Sequence, residues 1–95
     1  MEKKNNKAAI NARVLGRVQG VGFRYSALRE AERHGLCGWV RNTADGEVEV
    51  WVEGPPDKLA LFSAWLRQGP RLSRVDSVVQ EAAAPRGYKD LRVEY

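Results

Sequence analysis

The sequence is short of the residues that metal centres, disulfides and membrane spans require. It has one cysteine, Cys37, and one histidine, His34, among 95 residues. A single cysteine closes no internal disulfide, and the two together are too few for a four-ligand structural zinc site. A lone thiol suits a reducing compartment, so the expected location is the cytoplasm. No run approaches the ~18 apolar residues of a membrane helix, and no membrane association is expected. The polar, basic start is not followed by the apolar segment of a secretory signal. Internal repeats and low-complexity runs are also lacking.

A strong charge excess is missing as well. The net charge is +4. Half of it lies in residues 1–7, where Lys3, Lys4 and Lys7 outnumber Glu2, and the rest of the chain is nearly balanced. Such a body makes no case for a polyanionic partner, and no nucleic acid is expected. The basic residues are mostly arginine, 11 of 16, whose rigid fork suits phosphate.

Apolar residues make up 43% of the chain and charged residues 29%, an ordinary globular balance. The length suits one domain with one core. Residues 1–7 read as a disordered basic arm and 8–95 as a single domain. Ile10, Ala12 and Val14 alternate with Asn11, Arg13 and Leu15, which predicts a first strand. Residues 23–34 read as a helix with Phe23, Ala27 and Ala31 on one face and Gly35 just past its end. Residues 36–42 and 47–53 predict a hairpin around the Asp45-Gly46 turn, with Val48, Val50 and Val52 on its buried face and Glu47, Glu49, Trp51 and Glu53 pointing outward. A second helix opens at Gly54-Pro55-Pro56-Asp57, carries Leu59, Phe62 and Leu66 as its stripe, and ends at Gly69-Pro70. Residues 75–83 predict a fourth strand whose register is open, because Val75, Val78 and Val79 do not alternate. Pro85-Arg86-Gly87 reads as a turn before a short last strand with Leu91, Val93 and Tyr95 on one side. The order is that of an α+β, ferredoxin-like βαββαβ fold. It comprises an antiparallel sheet with both helices on one face, plus a short C-terminal strand.

The segment Gly16-Arg17-Val18-Gln19-Gly20-Val21-Gly22 breaks a local rule. It leads into a helix whose first turn carries Arg24 and no acid, although a helix N-terminus is already partially positive. Glycines that turn the backbone sharply, free helical N–H groups and an arginine together suit a phosphate-sized anion. The spacing is neither that of a P-loop nor that of a dinucleotide-binding turn.

Gly16-Arg17-Val18-Gln19-Gly20-Val21-Gly22-Phe23-Arg24 resembles the first signature of the acylphosphatases. Gly38-Trp39-Val40-Arg41-Asn42, followed by Gly46, Val48 and Gly54, resembles their second. The resemblance covers about residues 8–95. It implies a small ferredoxin-like enzyme that hydrolyses acyl phosphates to carboxylate and inorganic phosphate without metal or cofactor. On that resemblance Arg24 binds the phosphoryl group and Asn42 orients the attacking water. The phosphate loop comprises Gln19, Gly20, Val21, Gly22, Phe23 and Arg24. The expected partners are a small acyl phosphate and inorganic phosphate, as product and inhibitor, acting on a monomer.

The residues agree with such chemistry. His34 lies three turns beyond Arg24, no carboxylate precedes Glu30 in the loop or helix, and Ser26 has no base beside it. A site offering only alignment and electrostatics can hydrolyse a substrate that is already reactive. Two alternatives remain at this level: a domain that binds a small anion without turnover, and an RNA-recognition module stacking bases on the sheet. Arg17 stays open between solvated surface and steering of a substrate carboxylate. Cys37, His34, Phe23 and the three tryptophans read as packing or helix-end residues.

Overall fold

The structure, a computed structural model, describes residues 7–95; of the expected basic arm, residues 1–6 lie outside the described residues. Ile10, Ala12 and Val14 give β1 (Ala8–Arg17) one buried apolar face, as period-two alternation requires. The same alternation buries Val48, Val50 and Val52 of β3 (Val48–Gly54), which pairs antiparallel with β1 and with β2 (Cys37–Asn42). The hairpin between β2 and β3 is closed by Thr43, whose N–H donates to the Glu47 carbonyl at 2.9 Å. Its Oγ1 accepts from the N–H groups of Asp45 and Glu47.

Two helices pack on this apolar face. α1 (Phe23–Arg33) buries Phe23, Ala27 and Ala31, and α2 (Pro56–Gln68) buries Leu59, Phe62 and Leu66, all in one cluster with the strand valines. α1 stops where Gly35 takes a positive φ of 70°. The Leu36 N–H then donates to the Ala31 carbonyl and the Gly35 N–H to that of Glu32, the paired bonds of a Schellman end. Phe23 and Phe62 both pack on Trp65, at 5.5 and 6.3 Å between ring centres, which ties the start of α1 to α2.

β4 (Arg74–Ala83) pairs antiparallel with the other side of β1, and its register explains the irregular valines. Leu15 faces Ser77 but Gly16 faces Val75, so Asp76 is an extra residue in a bulge. One extra residue flips the alternation. Val75 and Val78, three apart, therefore both pack against the core, while Val79 points to solvent. Gly16 makes the bulge possible: its φ is 137°, and a Cβ there would collide with the Arg74 carbonyl oxygen.

The sheet order is β4-β1-β3-β2-β5, with β5 (Leu91–Glu94) at the far edge from β4. The connection, residues 84–90, is longer in reach than a turn: it crosses the helix-free face of the sheet. Four strand spacings are about 19 Å, which seven near-extended residues can span. β5 consequently pairs parallel to β2, the single parallel contact among the described strands of an otherwise antiparallel sheet.

This strap changes the outward face expected of β3. Trp51 and Glu53 are buried, at 3% and 2% exposure, and Glu47 and Glu49 are half-buried. Tyr88 meets Trp51 edge-on at 5.3 Å and the Arg86 guanidinium lies over it at 4.9 Å. The Glu53 carboxylate accepts from the backbone N–H groups of Arg86, at 2.7 Å, and Gly87, at 2.9 Å. Glu47 pairs with Arg13, and Glu49 with Arg41 and Asn11. The covered Trp51 ring offers no face on which a base could stack.

Candidate active site

Beyond the end of β1 the chain passes through buried Val18 into residues 19–22, and both Gly20 and Gly22 take positive φ, 76° and 78°. Gly22 stands at the N-cap of α1 in the left-handed region and contributes no side-chain cap. Helical bonding starts only at Ser26, whose N–H donates to the Gly22 carbonyl at 3.0 Å. Among the described residues, nothing accepts the N–H groups of Gln19 to Tyr25. Seven consecutive donors at the positive end of a helix are arranged to meet an anion.

The loop is tied to the hairpin by Gln19. Its Nε2 donates to the carbonyls of both Thr43 and Glu47, each at 2.8 Å. The Gln19 side chain is therefore a clamp, and only its backbone N–H is available to a ligand. The clamp brings the loop beside Asn42, the last residue of β2. Phe23 and Val21 pack into the core below and hold the loop from inside.

Between loop and hairpin lies a cavity of about 180 Å³. Val18 and Phe23 form its buried floor, Gly20 and Gly22 a rim, and Arg24, Tyr25 and Asn42 its remaining walls. Arg24 is half-buried, lies over the Tyr95 ring at 5.0 Å and has no carboxylate partner among the described residues. The Oδ1 of Asn42 is buried and accepts no hydrogen bond from any of the described residues. A buried amide oxygen without a donor costs about 1–3 kcal/mol, and such an exception calls for a functional explanation.

The other singled-out residues lie elsewhere. His34 Nε2 is 3.2 Å from Glu30 at the far end of α1, a helix-end pair. Cys37 is half-buried and free. Arg17 ends β1 opposite Arg74 and is exposed. No three His, Cys, Asp or Glu side chains cluster among the described residues, and none of their helices is long and apolar enough to cross a membrane.

The acylphosphatase family model matches residues 10–92. The chain belongs to the acylphosphatase family. It is 47% identical over 87 residues to the acylphosphatase of Thermococcus kodakarensis, covering 92% of this chain and 96% of that one. It is 54% identical over 82 residues to that of Koribacter versatilis, covering 85% and 74%. The solved structure of an acylphosphatase from Coxiella burnetii superposes with a TM-score of 0.90 at 38% identity and covers 94% of each chain. As an acylphosphatase fold, the chain places both sequence signatures around one cavity: the first forms the loop and Arg24, the second the β2–β3 hairpin and Asn42. The clamp from Gln19 was not foreseen, although a glutamine between loop glycines is the available sign of it.

Proposed function

We propose that this protein hydrolyses acyl phosphates to a carboxylate and inorganic phosphate at the cavity between the loop and Asn42. The phosphoryl oxygens take the free N–H groups of residues 19–24, and the Arg24 guanidinium neutralises their charge with a two-pronged fork. The same contacts follow the negative charge as it spreads over the equatorial oxygens.

The observation that carries this reading is the buried Asn42 Oδ1, an acceptor without a donor among the described residues, on the wall of a cavity whose loop side presents free N–H groups and Arg24. A water molecule fills that role. It donates to Oδ1, which turns its lone pair toward phosphorus. The new bond forms between water oxygen and phosphorus. The bond to the acyl oxygen breaks, and the carboxylate leaves with the electron pair, needing no proton. The water's proton passes to a phosphoryl oxygen of the substrate. No side chain acts as base or nucleophile, so esters with poor leaving groups are poor substrates.

The test is release of inorganic phosphate from acetyl phosphate by the purified protein in the presence of a strong chelator. Steady turnover, inhibited competitively by inorganic phosphate, is expected. Phosphate binding with no turnover would instead make it an anion-binding domain. Turnover abolished by chelator and restored by one metal would overturn the mechanism.

A further inference from the structure

Tyr25 is the one side chain lining the cavity that stands mostly in solvent, at 61% exposure. Val18 and Phe23 are buried, Arg24 and Asn42 half-buried, and the exposed Gly20 and Gly22 carry no side chain. The phenol is also held. Arg29, one turn further along α1, donates from Nη1 to Tyr25 Oη at 3.3 Å, and its guanidinium lies 5.8 Å from the ring centre. Arg29 itself has no carboxylate partner among the described residues. Both contacts favour one orientation of the ring, beside the cavity it lines.

In-line displacement puts the incoming water and the leaving carboxylate on opposite sides of phosphorus. Asn42 Oδ1 is on the buried side. The acyl group therefore points to the open side, where Tyr25 supplies the wall. We propose that Tyr25, oriented by Arg29, contacts the acyl group of the substrate and selects broad, flat acyl groups over acetyl. The inference rests on the hydrolysis of acyl phosphates and names the residue that reads the part of the substrate outside the phosphate loop. Stacked or edge-on aromatic contact supplies the discrimination, and a methyl group is too small to use it.

The experiment compares kcat/KM for benzoyl phosphate and acetyl phosphate in the wild-type protein, Tyr25→Phe and Tyr25→Ala, with inhibition by inorganic phosphate measured on each. The benzoyl-to-acetyl ratio should fall about three- to tenfold in Tyr25→Ala, from the usual worth of an aromatic contact. It should fall less in Tyr25→Phe, which keeps the ring but loses the hydrogen bond from Arg29. Inhibition by inorganic phosphate, which has no acyl group, should shift less than about twofold in either variant. An unchanged ratio in Tyr25→Ala overturns the assignment, as does an equal fall in Tyr25→Phe. A matching loss of phosphate inhibition overturns it too, because Tyr25 would then act through the loop. A wild-type protein that hydrolyses neither substrate refutes the functional reading itself, a result separate from all of these.

Discussion

At the scale of single residues, the site is built from groups whose placement is unfavourable for the fold alone. Arg24 sits where the helix dipole is already positive, and no acid offsets it in the first turn of α1. On the proposed function, its charge becomes favourable when the phosphoryl group binds. Two consequences follow for variants. Arg24→Ala should be no less stable than wild type in urea, and up to ~1 kcal/mol more stable, from relief of the clash with the dipole. It should also lose inhibition by inorganic phosphate. Arg24→Lys keeps the charge but loses one arm of the fork. One charged hydrogen bond is worth ~1.5–3 kcal/mol, so kcat/KM should fall about ten- to a hundredfold. Phosphate inhibition retained at wild-type strength in Arg24→Ala would remove Arg24 from the site. Arg24's place on the cavity wall was legible as a candidate from sequence, because the residue breaks a rule visible without coordinates.

At the scale of elements, regular alternation was readable and interruptions of it were not. The valines of β3 and the stripes of both helices follow periods of two and 3.6, and they land in the core as those periods require. In β4 the bulge at Asp76 shifts the phase, which no period reports. The strap over residues 84–90 was also hidden, since a Pro-Arg-Gly sequence reads as a turn whether it reverses the chain or carries it over a sheet. Its anchor is Glu53, buried by the strap it binds. Glu53→Ala would leave the N–H groups of Arg86 and Gly87 without their carboxylate. That should cost at least ~1.5–3 kcal/mol, read as a lower urea midpoint at unchanged slope. A midpoint equal to wild type would mean that the strap is held by Trp51 and Tyr88 alone. The same face predicts a pH dependence. Burial works to raise the pKa of Glu49, but hydrogen bonds from Asn11 and Arg41, with Arg13 nearby, hold it below the ordinary 4.5. A carboxylate held low in the fold stabilises it at pH above its unfolded value. That contribution is lost as pH falls through the lowered value. Glu49→Gln should therefore flatten part of the acid loss of stability in denaturant titrations, whereas an identical acid slope would show that the carboxylate contributes nothing there.

At the scale of the whole molecule, the fold brings together two segments with different duties. The loop leaves β1 and Asn42 ends β2, strands that lie on either side of β3, and the Gln19 clamp closes the gap between them. Sequence could name both segments by their signatures, but the clamp and the unpartnered Oδ1 exist only once the hairpin and the loop meet. In the mechanism we propose, the loop and Arg24 hold the phosphoryl group before and during reaction, whereas Asn42 acts on a water whose alignment matters only as attack begins. Contacts realised in the transition state change kcat rather than binding. The most direct measurement is therefore acetyl phosphate hydrolysis by Asn42→Ala, with inhibition by inorganic phosphate measured on the same sample. By comparison with removal of one preorganised polar group, kcat should fall about a hundred- to a thousandfold, or ~2.7–4 kcal/mol, with phosphate inhibition near wild type. If Asn42→Ala turns over within about threefold of wild type, Asn42 is only a turn residue, and the positioned-water account is contradicted.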